Sequence, residues 1–224
     1  MNKLKITLIA FFASVMAISS SVAEIRIGLS AGFAQFEAAG NETLKDTSGV
    51  TTHTVQANAI VPSVFAEIAH SSGFGLGIDM VQGTASLAGS KNTRNLTNTA
   101  SQGNDTGTNV ADAEVDGINT YYLIKSFDSG FLVKAGMSQA DVNTKEVLGT
   151  GSTYGNATVD GSHFGIGFAR TNDSGFFYRA AVEYTDFDEL SLTSGVADAT
   201  TATKNVVKAD VDVTMAKFSI GKSF

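Results

Sequence analysis

Few residues of this chain combine the type and the spacing that chemistry requires. The chain has no cysteine, which excludes a thiol nucleophile, a disulfide framework and a Cys-ligated metal site. If Phe168 lies opposite Tyr178 in a hairpin, His163 lies opposite Glu183. A His–carboxylate pair orients a base in catalysis, and it is also the ordinary way to satisfy a buried histidine. Because no serine is placed beside this pair, we predict no catalytic residue and no enzyme.

The other candidate sites are weaker. The triplet His70-Ser71-Ser72 ends in a tight turn, and Asp186, Asp188 and Glu189 form an acidic cluster. We interpret this cluster as a solvated loop edge, with bridging by divalent cations as the alternative. No glycine-rich phosphate loop follows a strand and opens a helix. The sequence therefore predicts no metal and no cofactor.

The composition excludes several function classes. Among 224 residues there are 23 Gly and 15 Phe but only 1 Pro and no Trp, and charged residues make up 17%. Soluble domains contain about 25% charged residues. Since hydrophobic residues are only 43%, a bundle of long helical membrane spans is not indicated. The net charge of −7 argues against nucleic acid, which requires a basic face.

The first segment is typical of an export signal. Lys3 and Lys5 precede an apolar core at 6–18, and Ser21-Val22-Ala23 has the small residues of a cleavage site. This pattern predicts a secretory signal peptide over residues 1–23. An exported chain without cysteine fits a bacterial envelope.

The remaining residues, 24–224, alternate between apolar and small or polar side chains. An apolar residue at every second position predicts strands with two different faces. The apolar positions of five such runs are Ile25 to Phe33, Phe74 to Met80, Phe131 to Met137, Phe164 to Phe168 and Phe176 to Tyr184.

A Ser-Gly-Phe triplet recurs three times, at Ser72, Ser129 and Ser174, and each copy predicts a tight hairpin turn. With a first strand near Ile25 and a last one near 211–224, the hairpins give eight strands. Long polar stretches separate the hairpins and predict mobile loops near 37–54, 83–114, 143–158 and 187–206.

An even strand number with short turns at one end and long loops at the other is typical of an outer-membrane barrel. Closure pairs every backbone group, as hydrocarbon requires. We therefore predict an all-β fold, an eight-stranded antiparallel up-and-down transmembrane β-barrel. A soluble β-sandwich is the alternative.

If the apolar faces meet lipid, the other faces line a narrow lumen, where charges must pair. We predict an interior salt-bridge network; a gated ion path is the alternative. The facing of 118–126 stays open between Tyr121, Leu123 and Lys125 outward, favoured by the alignment of the turns, and Tyr122 and Ile124 outward. The predicted network is Arg26, Glu67, Asp79, Lys134, His163, Arg179, Glu183 and Lys217.

Aromatic residues are expected in two girdles. One follows the turns and the other lies at the opposite end of the strands. The members are Phe74, Phe131, Phe176 and Phe177 in the first, and Phe33, Phe36, Tyr184 and Phe187 in the second.

The chain ends in MAKFSIGKSF, with Phe218, Ile220 and Phe224 at alternate positions. This strand resembles the C-terminal assembly signal of Gram-negative outer-membrane barrels. Lys222 departs from the usual apolar residue, although lysine can snorkel at an interface. Together with the signal peptide and the strand pattern, the ending resembles the small barrels of the OmpA transmembrane domain, OmpX, OmpW and opacity-protein type.

The resemblance implies a location in the bacterial outer membrane and recognition by the barrel-assembly machinery. The expected function is a non-enzymatic structural or surface role, in membrane integrity, adhesion or shielding, through extracellular loops. A narrow porin-like channel for small solutes or apolar molecules is the alternative, and a lipid-modifying enzyme is a third. Expected partners are outer-membrane lipids, lipopolysaccharide and extracellular ligands of the loops, and we expect a monomer.

Overall fold

A closed barrel of eight long antiparallel strands forms the molecule. The computed structural model describes residues 23–43, 50–87, 92–96, 107–111, 113–145, 153–195 and 204–224, so residues 1–22 of the predicted signal peptide lie outside the described part. The strands are β1 (Ala23–Thr43), β2 (Val50–His70), β3 (Phe74–Val81), β4 (Ala113–Ser126), β5 (Phe131–Thr144), β6 (Ala157–Thr171), β7 (Phe176–Phe187) and β8 (Val206–Ser223).

Each strand pairs with the next, and pairing of β1 with β8 closes the barrel along most of β1, from Arg26 opposite Ser223 to Thr43 opposite Val206. The predicted up-and-down topology is confirmed. In the described ranges, no helix has the length and apolarity to cross a membrane.

The three Ser-Gly turns share one geometry. Gly73, Gly130 and Gly175 have φ of +83°, +90° and +82°, a region that favours glycine because a Cβ would clash. In each turn the glycine N–H donates to the carbonyl three residues earlier, at 2.8–2.9 Å. These turns fix the relative register of the paired strands, and all three lie at one end of the barrel.

At the other end, strand pairing continues into the predicted loops. The ladder between β1 and β2 reaches Thr43 opposite Val50, so much of 37–54 is strand. Segments such as 50–55 are rich in Thr and Val, whose β-branched side chains favour strands even where no apolar face marks them. Short strands continue the pairing within 83–114 and 187–206: Thr84–Ser86 on β4, Leu190–Thr193 on β8, and Asn92–Leu96 with Gly107–Ala111.

Outward side chains divide the barrel wall into two zones along its axis. Near the turns the outward positions are apolar, as on β1 from Ile25 to Phe33, whereas Gln35 and Glu37 follow on the same face. An apolar run of this length matches the 9–11 residues of a transmembrane β-strand. We call the part with the apolar exterior the membrane zone and the part beyond it the outer zone.

The facing of β4 follows the alignment of the turns. Tyr122 and Ile124 are each 1% exposed in the lumen, whereas Leu123 is 54% exposed on the outside. Farther along, the register of β4 against β5 shifts between Asp116 and Asn119, where Gly117 has φ +58°. This bulge marks the point where β4 leaves the membrane zone.

Three aromatic residues assigned to the girdles lie inside the barrel instead. Phe36, Phe177 and Phe187 are at most 5% exposed. Phe177 follows the outward Phe176, so alternation turns it into the lumen. Phe36 and Phe187 lie in the outer zone, where the apolar face is the inner one. Phe33, Phe74, Phe176 and Tyr184 do face outward.

Candidate functional site in the barrel lumen

All eight residues of the predicted interior network lie on the lumen face. Seven of them are buried, and Arg26 is partly buried at the mouth near the turns. The seven are Glu67, Asp79, Lys134, His163, Arg179, Glu183 and Lys217. They come from six strands, so only closure of the barrel brings them together.

The pair of Arg179 and Glu67 is the part of the buried network nearest the turns. The guanidinium donates two parallel hydrogen bonds to the carboxylate, from Nη1 at 2.7 Å and Nη2 at 2.8 Å. The Tyr122 hydroxyl donates to Glu67 Oε1 at 2.7 Å. Bidentate geometry is the strongest form of this ion pair and fixes both side chains.

Two aromatic rings enclose the same guanidinium. Its Cζ lies 5.2 Å from the ring centre of Phe65 and 5.5 Å from that of Phe177. Arginine stacks on aromatic faces because its planar cation is weakly hydrated. Arg179 is therefore held both by charge and by packing, and it is only 2% exposed.

A second group of charges forms a chain across the lumen. Lys134 Nζ lies 2.7 Å from Glu183 Oε1, and Lys217 Nζ lies 2.8 Å from Glu183 Oε2. Lys217 also donates to Asp79 Oδ2 at 3.0 Å. With the pair of Arg179 and Glu67, the buried set holds three cations and three carboxylates, so its formal charge is zero.

Arg26 does not join this set. It lies directly opposite Glu67 in the pairing of β1 with β2, yet its Nε donates to Glu24 Oε1 at 3.0 Å. Glu67 is already occupied by Arg179 from the far side of the lumen. Arg26 and Glu24 thus form a separate pair at the mouth near the turns.

The predicted pairing of His163 with Glu183 is wrong. His163 lies opposite Thr185, with Nδ1 3.0 Å from Thr185 Oγ1, and Glu183 lies opposite Gly165. The pairing assumed a turn that closes one residue earlier on each strand. In the structure Asn172 caps the turn, its Oδ1 accepting from the N–H groups of Ser174 and Phe176 at 3.1 and 2.9 Å.

The network contains members that the sequence analysis did not assign. Tyr122 was not assigned because the facing of its strand was open, and Phe177 was assigned to a girdle because it follows a turn. Phe65 was assigned neither to a girdle nor to the lumen. Lys134 Nζ lies 4.6 Å from the ring centre of Tyr122, so this tyrosine touches both charged groups. Alternation from Glu67 would have placed Phe65 inside.

In the outer zone the lumen is apolar. The cluster begins at the level of Met215 and Val213, next to His163 and Thr185, and continues away from the membrane zone. Its larger members are Phe36, Val61, Val81, Leu87, Val115, Ile118, Val142, Val159, Phe187, Leu190, Leu192 and Val211. The charged layer and the apolar layer therefore fill the lumen in series.

The remaining candidate residues lie outside the lumen. His70 Nδ1 lies 2.9 Å from Ser72 Oγ, but it also accepts from the Ser72 backbone N–H at 3.0 Å, which makes it a part of the exposed turn. Glu189 pairs with Lys208 at 2.6 Å, and Asp186 is exposed on the outer zone. No group of three or more potential metal ligands occurs among the residues that the structure describes.

The residues of the predicted assembly signal line the outside of the last strand. Phe218, Ile220 and Phe224 are 53%, 55% and 68% exposed on the apolar band. Because β8 pairs with β1, this strand is also the one that closes the barrel.

Comparisons with known proteins bear on the fold. No protein-family model matches the chain, and no curated protein matches its sequence. The solved structure of the outer membrane protein OprG from Pseudomonas aeruginosa is similar, with 13% identity, a TM-score of 0.56, and coverage of 89% of this chain and 96% of that one.

The outer membrane protease OmpT from Escherichia coli is also similar, with 8% identity, a TM-score of 0.51, and coverage of 92% and 99%. Ail, the attachment invasion locus protein of Yersinia pestis, has 12% identity, a TM-score of 0.47, and coverage of 91% and 100%. Since the identities are only 8–13%, the likeness extends to architecture alone. The chain has the fold of the small outer-membrane β-barrel proteins of Gram-negative bacteria.

Proposed function

We propose that this protein is a closed outer-membrane barrel whose membrane zone is an anchor and whose outer zone presents a surface outside the cell. The observation that carries this proposal is the filled lumen. Arg179, Glu67 and Lys134 are at most 2% exposed, and the apolar cluster lies in series with them. An ion would have to break the buried pairs and then cross an apolar layer, and each step is unfavourable.

A planar-bilayer recording tests the closed state. The purified full-length protein, folded as judged by heat-modifiable gel migration, is expected to give closed traces at all voltages, whereas a general porin inserted under the same conditions gives steps. Reproducible single-channel steps from the folded protein would contradict the proposal.

Cysteine labelling tests the location and the orientation. Because the chain has no cysteine, single substitutions report on their own position. Asp210→Cys on the exposed face of the outer zone should react with a membrane-impermeant maleimide on intact cells, and Asp173→Cys at a turn should react only after lysis. Equal labelling of both on intact cells, or release of the protein by osmotic shock without detergent, would contradict the placement.

The outer zone favours a surface role because its exterior is polar. Gln35, Glu37, Asn58 and Asp210 are exposed beyond the apolar band, where contacts with lipopolysaccharide sugars or extracellular ligands are available. The partners proposed for this role are outer-membrane lipids, lipopolysaccharide and loop ligands, and the protein acts as a monomer.

Recognition by the assembly machinery is tested by deleting Phe224, which should lower the folded fraction in the outer membrane. Normal assembly of the deletion variant would contradict this recognition.

One observation favours a second candidate function, a channel for apolar molecules. The lumen of the outer zone is lined by apolar side chains, so it could admit an apolar solute if the packing opened. Uptake of a labelled apolar compound by cells that express the protein, compared with cells without it, decides this. Uptake that depends on the protein would contradict the closed anchor and support a channel.

A lipid-modifying enzyme is the third candidate, and the structure gives it little support. The buried His163 contacts Thr185 rather than a carboxylate, and its side chain faces the lumen. His163→Ala should leave lipid A composition unchanged. A changed composition in cells that carry this variant would point to catalysis.

A further inference from the structure

Three cationic side chains face outward at the end of the membrane zone nearest the turns. They are Lys125 on β4, Arg170 on β6 and Lys222 on β8. Each lies two residues before the residue that directly follows its strand, which is Phe127, Asn172 or Phe224. Alternate strands therefore carry one cation each at the same boundary of the apolar band.

Each cation is held against the barrel wall. Lys125 Nζ lies 4.4 Å from the ring centre of Phe74, and Lys222 Nζ lies 4.8 Å from that of Phe176. The guanidinium of Arg170 occupies the space where a Cβ on Gly130 would lie, 2.7 Å from Nη1. Long cationic side chains at such a boundary pack their stems on apolar surface and keep the charge at the headgroup level.

None of the three cations takes part in an ion pair with a residue that the structure describes. Lys125 Nζ donates to the Ser72 carbonyl, which leaves its other protons for a ligand. Of the acidic residues at this end, Glu24 is paired with Arg26. Asp128 and Asp173 are exposed at the turn tips, beyond the cations and farther from the apolar band.

The opposite boundary of the membrane zone has the opposite charge. Glu37, Asp186 and Asp212 lie on the outward face just beyond the apolar band, in register with one another across β1, β8 and β7. Phosphate groups are repelled at that boundary and attracted at the one with the cations. The two ends of the membrane zone therefore select different headgroup chemistry.

We propose that Lys125, Arg170 and Lys222, here called the basic belt, bind phosphate headgroups of anionic phospholipids in the periplasmic leaflet. The proposal rests on the proposed function, which places the turns on the periplasmic side. Lysine and arginine are charge-assisted donors to phosphate oxygens, and each cation near an anionic lipid surface contributes roughly a fivefold preference.

Native mass spectrometry of bound lipid tests the basic belt. The full-length protein is reconstituted in vesicles of equal parts phosphatidylglycerol and phosphatidylcholine, extracted in mild detergent, and the lipid that stays bound is counted. Wild type should retain phosphatidylglycerol in excess. The triple variant K125Q/R170Q/K222Q should lose at least about fivefold of that excess.

A matched control removes the same charge from the other end. K145Q/K204Q/K208Q changes three cations of the outer zone and its connections, and it should retain phosphatidylglycerol as wild type does. Equal excess in wild type and the belt variant, or equal loss in both variants, would overturn the proposal. Loss of co-purified lipopolysaccharide from the belt variant instead would also overturn it, because the belt would then face the outer leaflet.

Two measurements on the same preparations keep this result separate from the proposed function. Heat-modifiable migration shows whether each variant is folded, and bilayer recording shows whether it is closed. If the belt variant is folded and closed but binds lipid as wild type does, the lipid-binding proposal is contradicted and the proposed function is not. If the wild-type protein conducts ions, the proposed function as a closed anchor is contradicted, whatever the lipid measurement shows.

Discussion

The membrane zone and the outer zone of this barrel have opposite polarity. In the membrane zone apolar side chains face outward and buried charges fill the lumen, whereas in the outer zone polar side chains face outward and Phe36 and Phe187 are buried inside. The same strands run through both zones. The surrounding medium, lipid in one zone and water in the other, therefore decides which face of an alternating strand is apolar.

The two interiors are also stabilised differently. The lumen of the membrane zone depends on a neutral set of paired charges, whose attraction offsets their desolvation only while every partner is present. The outer zone depends on apolar burial, which is tolerant of small losses and roughly additive. Breaking a single contact should therefore have a larger effect in the membrane zone.

The largest effect is expected for Arg179→Ala. It leaves the buried Glu67 without its cation, and breaking a buried pair costs about 3–5 kcal/mol of folding free energy. Because the chain has no Trp, unfolding in urea is followed by gel migration of the folded and unfolded forms. The double variant E67L/R179M removes both charges and should recover most of the stability; a double variant no better than the single one would contradict the charge argument.

The interior of the outer zone is tested by Phe36→Ala. Phe36 is 1% exposed, and truncation of a buried Phe leaves a cavity that costs about 3–4 kcal/mol. Phe33→Ala, on the same strand but 54% exposed on the apolar band, serves as the matched control and should cost less in the same urea titration. The reverse order would mean that the outer zone does not have an apolar core.

The boundary between the zones is tested by placing a charge on the outward face of β1. Leu29→Arg lies within the apolar band and should cost about 2–4 kcal/mol. Gln35→Arg lies beyond the band and should change stability by less than about 0.5 kcal/mol. Folding in vesicles, compared across a urea series, measures both, and equal costs would place the boundary elsewhere.

Much of the fold could be predicted because its signals are local. Alternation gave the strands, and the repeated Ser-Gly pair gave the turns, since a glycine with positive φ is needed there. The faces of most strands followed from parity alone. Tyr122 and Ile124 were the exception, because both faces of that strand carry apolar residues, and only the alignment of the turns indicated the right answer.

The reversal of polarity between the two zones is visible in the sequence as a change in which alternate positions are apolar. On β1 the apolar positions change from odd to even numbers between Phe33 and Phe36, and on β7 they change from even to odd between Tyr184 and Phe187. Treating each strand as having one apolar face throughout placed Phe36 and Phe187 in a girdle. A shift of parity within an alternating strand thus predicts where the wall passes from lipid to water.

By itself the sequence determined the number of strands, the turns and the charged residues on the lumen face, since each depends on neighbours within a few positions. The tertiary structure alone decided which lumen residues pair. Glu67 lies opposite Arg26 on the adjacent strand but binds Arg179, which is 112 residues away. Closure of the barrel brings that guanidinium across the lumen between Phe65 and Phe177, and no local pattern encodes a contact made by closing a ring.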